Sequence, residues 1–214
     1  VDGIILIGTL FTAEHKERLK HLSVPIVILA QRLDGYSCVY SDDYHASLDL
    51  ASRLAKNGHI FGYISAESRD EAVGRSRKKG FEDGLSQAGQ EHAPRYYAEA
   101  VFSMESGYQM ARKLFTDHPD IDTLLCATDT IASGALRYFH EQEIPVPEQV
   151  QIAGFGDSSI ARATTPTLTT AHFFYEEAGS EAGKILLDMM QEKEHPLNRE
   201  LKLGFSTIVR DSTR

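Results

Sequence analysis

The sequence predicts an α/β protein built on doubly wound parallel sheet, and two observations carry that prediction. Short apolar runs alternate with helix-periodic segments along almost the whole 214-residue chain, the pattern of strands connected through crossover helices. Several runs, such as Thr123-Leu124-Leu125-Cys126-Ala127, are apolar at every position or nearly so, as a strand covered on both faces requires.

The first run, Val1–Leu6, reads as a strand already in a core pattern, so the sequence predicts that further chain precedes it. A helix is expected from Thr12 to Leu22 with Thr12 as its cap. Strands follow at Pro25–Leu29 and Cys38–Tyr40, the latter ending in Asp42-Asp43. Tyr44–Lys56 is helical, with Leu48, Leu50, Ala51, Leu54 and Ala55 on its apolar side, and Gly58 is placed at its C-terminal cap. Ile60–Ser65 is a strand, Gly74–Ala88 a helix stopped at Gly89, Tyr96–Val101 extended and Met104–Asp117 a helix. After the central strand, Thr128 and Asp129 are set to cap a helix over Ile131–Phe139. Val150–Phe155 and Thr169–Phe174 are strands, Glu176–Lys193 a long helix, and Leu201–Val209 extended.

About nine strands of this kind fit one wide sheet or two sheets joined by chain crossings. The short polar stretches Ser41-Asp42-Asp43 and Thr169–His172 are the segments most like crossings.

Composition narrows the function classes. A net charge of −9 and a densest basic run of only Arg75-Ser76-Arg77-Lys78-Lys79 argue against duplex DNA binding by these residues. No run of eighteen apolar residues is present, so no membrane span is expected. The two cysteines, Cys38 and Cys126, lie far apart without metal-ligand spacing and suit a reducing cytoplasm. Gly154-Phe155-Gly156 fails the dinucleotide fingerprint because position 159 is Ser, and no phosphate loop, nucleophile elbow or zinc helix is present. Neither catalytic residue, metal site nor cofactor is expected; the chain reads as a binding protein rather than an enzyme.

The predicted carboxyl ends of strands gather Gln31, Ser65–Ser68, Thr128, Asp129, Asp157 and Ser158, with Arg75 and Arg77 at a helix start and Phe173-Phe174-Tyr175 nearby. Amides, carboxylates and guanidinium suit paired hydrogen bonds to sugar hydroxyls, and rings suit the apolar sugar face. Each residue also has a plainer reading: Asp129 as a helix cap, Arg77 as one residue of a basic surface face, Phe173 and Phe174 as alternating core and surface.

Taken in order, VDGIIL, VPIVIL, SDDYHAS, L-x-x-N-GH-x-x-x-GYI, R-x-R-x-x-GF, LLCATDTIASGAL, IPVPEQVQIAGFGD and TPTLTT resemble the effector-binding core of the LacI/GalR family of bacterial transcriptional repressors, over essentially the whole chain. Within it, CVYSDDY, SMESGY and LLCATDTIASGALRY are most similar to repressors of trehalose utilisation, then to sucrose-operon repressors. The resemblance implies a type I periplasmic-binding-protein-like fold of two doubly wound subdomains joined by three crossings. Residues 1–42 with 172–201 would form an N-terminal subdomain lacking its first units, and 43–171 with 202–214 the C-terminal one. It implies a cytoplasmic homodimer, a sugar or sugar-phosphate effector in the cleft, and operator DNA held by a helix-turn-helix headpiece absent from these residues. Trehalose 6-phosphate is the favoured effector and sucrose the next; a periplasmic sugar-binding protein serving a transporter is the alternative.

By position, Arg77, three residues before Gly80, matches the family's effector-gripping Arg. Asp129 keeps the family's Asp, and Thr128 stands where many members have Asn. Phe155 and Phe173 match cleft-lining positions. Two places depart: Gly156 replaces a sugar-binding Asp, with Asp157 following, and Ala30 replaces an acid, with Gln31 next to it as the polar substitute.

Overall fold

The computed structural model describes residues 1–8, 10–191 and 197–214. The chain divides into two compact units: Val1–Asp42 with Phe174–Gly204, and Asp43–Phe173 with Phe205–Arg214. The chain therefore changes unit three times. The second and third changes fall after Phe173 and Gly204, not after positions 171 and 201 as the sequence predicts, because β8 and β9 each run on to their last sheet pairing before leaving.

The first unit holds a four-stranded parallel sheet in the order β1-β2-β3-β9, from β1 (Ile4–Ile7), β2 (Ile26–Leu29), β3 (Ser37–Ser41) and β9 (Glu200–Leu203). Helix α1 (Ala13–Lys20) contributes Leu19 to one face, and α7 (Tyr175–Gln191) contributes Ala178, Ala182 and Ile185 to the other. Thr12 caps α1 as expected: its hydroxyl accepts from His15 N–H at 3.2 Å, and His15 Nδ1 accepts from Thr12 N–H at 3.3 Å. The last two positions of the helix expected over 176–193 lie outside the described residues.

The second unit holds six strands in the order β10-β8-β7-β6-β4-β5: β4 (Phe61–Ser65), β5 (Arg95–Glu99), β6 (Thr123–Cys126), β7 (Gln151–Phe155), β8 (Thr169–Phe173) and β10 (Phe205–Ile208). All neighbours are parallel except β10, which runs antiparallel to β8. Helices α2 (Asp43–Leu54) and α3 (Arg77–Gln87) cover one face; α4 (Met104–Asp117) and α5 (Asp129–Glu141) cover the other. The connection therefore changes face between β4 and β6, which puts the topological switch point of the sheet, the usual place for a ligand in an open α/β sheet, at their carboxyl ends.

Four sequence expectations are corrected. Leu201–Val209 is not one extended segment but β9 and β10, in different sheets, separated by Gly204. The helix expected from Gly74 begins earlier, as a π-helical turn over Glu71–Ser76 that leads directly into α3. Asp70 starts that turn, accepting from Val73 N–H at 2.8 Å. A short helix, α6 (Ser159–Ala163), occupies a stretch for which the sequence predicts no element. Gly58 does not take a positive φ; it is needed for space, since a Cβ there would stand 2.2 Å from Thr123 Oγ1. Gly89, by contrast, closes α3 with φ +78°.

Close helix contact in the second unit depends on missing side chains. A Cβ on Gly134 of α5 would lie 1.9 Å from the Met104 carbonyl oxygen at the start of α4. Gly134→Ala is therefore expected to destabilise the chain by about 1–3 kcal/mol through overpacking. Gly179→Ala in α7, where no atom lies within 4 Å of the new methyl, should stabilise by about 0.5–1 kcal/mol through helix propensity. Urea unfolding of the two variants checks both signs.

Candidate functional site

Six of the seven residues singled out in the sequence lie in the second unit, at or just beyond the carboxyl ends of its strands. The centre is Arg77, the first residue of α3. Its side chain is buried, contrary to the surface-face reading. Nε and Nη2 both reach Oδ1 of Asp43, at 2.8 and 2.7 Å, and Nη1 donates to the Ala127 carbonyl just past β6 at 2.5 Å. Its guanidinium carbon lies 4.7 Å from the Phe155 ring centre and 5.0 Å from that of Phe173. These two rings are nearly parallel, with centres 6.5 Å apart. Arg77 thus comes after β4, bonds to the end of β6 and lies on the ends of β7 and β8: it occupies the switch point.

Local structure places it there. The π-helical turn precedes it immediately, and such turns insert a residue and re-aim the side chains beyond the insertion. The Ser47 hydroxyl of α2 donates to the Arg77 carbonyl at 2.6 Å. Gly80, one turn on, lets α3 approach α2, since a Cβ there would be 2.2 Å from the Tyr44 carbonyl oxygen.

Asp129 is almost wholly buried, and its oxygens are used within the unit. Oδ2 accepts from Ser158 N–H at 2.8 Å and Ser158 Oγ at 3.1 Å; Oδ1 accepts from Thr170 Oγ1 at 2.6 Å. Burial pushes its carboxyl above the usual range, against the pull of these hydrogen bonds. Asp129 therefore does not cap α5. That role belongs to Thr128, half-buried, whose hydroxyl accepts from Ile131 N–H at 3.2 Å. Asp129 instead ties the β7–α6 turn to β8. Gly154 gives it room: a Cβ there would stand 2.7 Å from Oδ1.

Asp157 sits in a left-handed backbone conformation, φ +48°, after Gly156 at φ +125°. Its carboxylate meets Arg210, Arg162 at 3.0 Å and His172 Nδ1 at 3.1 Å. Burial acts to raise its pKa, but the hydrogen bonds and charges of Arg210 and Arg162 outweigh it and hold the carboxyl below the usual range. The sequence offered Asp157 as a substitute for a sugar-binding Asp; the structure binds it into this ionic cluster.

Gln31 lies in the first unit, just past β2, following Ala30 at φ +78°. It is buried, and its Oε1 has no hydrogen-bond partner among the described residues. A buried acceptor without a donor carries a cost of about 1–3 kcal/mol, so the group is suited to a donor brought by a ligand. Phe173 is core, whereas Phe174 is half-buried and lies past the end of β8, so the core-and-surface alternation expected of the pair is not one along the strand.

Sequence reasoning missed Asp43, Thr170 and Arg210 as functional partners. Asp43 and Thr170 lay in the two stretches read as crossings, and a carboxylate at a predicted strand end was the available signal. For Arg210 no signal existed, because its partner is 53 residues away. Among the described residues no group of three or more His, Cys, Asp and Glu is placed to hold a metal ion, and no helix is long and apolar enough to cross a membrane.

Two α/β units between which the chain passes three times, the second with a polar and aromatic set at its strand ends, are the features that the comparisons with known proteins match. The profile of the periplasmic binding protein-like domain family matches residues 51–213. The chain belongs to this family, among the effector-binding cores of LacI-family regulators. It is 31% identical over 197 residues to the HTH-type transcriptional regulator TreR of Escherichia coli, covering 92% of this chain and 59% of that protein. It is 29% identical over 198 residues to the sucrose operon repressor of Staphylococcus xylosus, covering 90% and 59%. Its fold matches the transcriptional regulator CelR–cellobiose complex with a TM-score of 0.90 at 25% identity, covering 99% of this chain and 66% of that one. The chain thus spans about three fifths of the length of these curated relatives.

The Asp157 cluster sets a pH dependence. A carboxyl whose folded pKa is depressed stabilises the fold above its unfolded pKa, and that contribution is lost as pH falls through the folded value. Asp157→Asn is therefore expected to destabilise the chain at pH 7 by about 1.5–3 kcal/mol, with the gap to the unsubstituted protein closing below the normal carboxylate range. Chemical denaturation at a series of pH values checks this.

Proposed function

We propose that this chain is the effector-sensing domain of a sugar-responsive DNA-binding transcriptional repressor. Its effector is a disaccharide or disaccharide phosphate, trehalose 6-phosphate in first place and sucrose in second. The observation that carries the reading is the Arg77 guanidinium held on Phe155 and Phe173 at the switch point. A planar cation offers charge-assisted hydrogen bonds to hydroxyls or a phosphate, and the two buried rings beneath it hold it in place. Gln31 Oε1, in the first unit, is a buried acceptor without a donor among the described residues. Thr128 and Phe155 line the site, while Asp129 and Asp157 hold its walls in place. The relatives' names support a regulator and, through the sucrose and cellobiose that two of them print, a glucose-containing disaccharide; nothing in them favours the transporter reading.

As a repressor domain it acts as a cytoplasmic homodimer, and operator DNA is bound by a helix-turn-helix headpiece outside these residues, in keeping with the chain's charge of −9. The effector shifts a conformational equilibrium by no more than its differential affinity for the two states, typically about 1–3 kcal/mol of coupling.

Calorimetric titration with trehalose, sucrose and their 6-phosphates tests this reading. One member of the set is expected to bind, and silence from all four removes the disaccharide assignment. Because Arg77→Ala would strand the buried Asp43 carboxylate, Arg77→Lys is the informative variant. It keeps the charge but loses the planar fork, and affinity should fall tenfold or more, about 1.4 kcal/mol.

A further inference from the structure

Arg77 also has a place in the architecture that is independent of the proposed effector contact. Its partner Asp43 is the first residue after the first chain crossing, and begins α2. Phe173, under its guanidinium, is the last residue before the second crossing. Phe205, the first residue after the third crossing, pairs in register with Phe173 across β8 and β10 and packs against the same apolar cluster. One buried side chain and its immediate neighbours therefore hold the second unit's end of all three crossings.

The ion pair is built to depend on its geometry. Both side chains are 7% exposed. A buried guanidinium–carboxylate pair stays favourable only while its alignment is kept, because each charge alone bears a large desolvation cost. Asp43 is also in the first turn of α2, where the helix dipole favours its negative charge. The arrangement couples the position of the guanidinium to the start of α2, and through the ring stack to the ends of β8 and β10.

We propose that Asp43 is the positioning residue for Arg77, and that the pair clamps the crossing residues so that a ligand on the guanidinium resets them together. The clamp itself stands on the geometry alone; its response to a ligand rests on the effector-binding reading.

Hydrogen exchange of the unliganded chain tests the clamp. In Asp43→Asn, amides of residues 43–45, 169–173 and 205–208 should exchange at least tenfold faster than in the unsubstituted chain. Those of Arg95–Glu99, at the far edge of the same sheet, should be unchanged. Arg77→Lys gives the same comparison should Asp43→Asn fail to fold. Unaltered exchange at the crossings, or an equal rise in β5, overturns the clamp. With trehalose 6-phosphate as probe, the unsubstituted chain should gain protection at the crossing amides. Asp43→Asn should bind at least tenfold more weakly and, when saturated, gain none there, while Asp43→Glu recovers part of the affinity. Full protection in saturated Asp43→Asn overturns the coupling. If the probe does not bind the unsubstituted chain, the effector assignment fails while the unliganded exchange still decides the clamp.

Discussion

The buried pairing of Arg77 with Asp43 is the constraint on which the second unit's carboxyl edge is arranged. A guanidinium removed from water requires acceptors and polarisable surface on every side, and the fold supplies them from four places. They are the carboxylate at the head of α2, the carbonyl after β6, and the rings that end β7 and β8. Supplying them fixes the relative positions of those elements. The π-helical turn before Arg77 and the glycine after it answer the same need, since one re-aims the side chain and the other lets α3 lie against α2.

A second constraint operates beside it. Asp129 and Asp157 hold charge at the ends of β6 and β7 by opposite means. Asp129 is enclosed by hydroxyl and amide donors, and burial raises its pKa; Asp157 is surrounded by cations that lower its own. Neither carboxylate stands open in the manner of a simple sugar contact. Both fasten turns: Asp129 joins the β7–α6 turn to β8, and Asp157 joins it to α6, β8 and the segment after β10. A rigid rim of this kind is what a binding site on loops requires if the loops are to present fixed donors.

Much of the site was legible from residue types at strand ends. Polar and aromatic groups follow apolar runs, and open parallel sheets gather such ends on one edge. Thr128, Asp129, Asp157 and Phe173 were singled out that way, Arg77 as a residue at a helix start, and Phe155 only through the family resemblance. Their roles were less legible. Asp129 read as a helix cap because a carboxylate after a strand usually is one, yet Thr128 took that position and Asp129 turned toward β8. Arg77 read as one of several basic residues on a helix face, and only the fold shows which of them faces inward.

The sequence by itself determined the class of fold, the positions of most strands and helices, and the family. These rest on hydrophobic periodicity, capping residues and ordered motifs, all of which act within a few residues of chain. Tertiary structure alone decided the division of Leu201–Val209 between two sheets, the reach of Arg210 to Asp157 and the pairing of Asp43 with Arg77. Those contacts join residues that are neighbours only after the sheets form. Whether a charged side chain is solvated or buried against a partner is set by packing from distant segments, which local spacing does not encode.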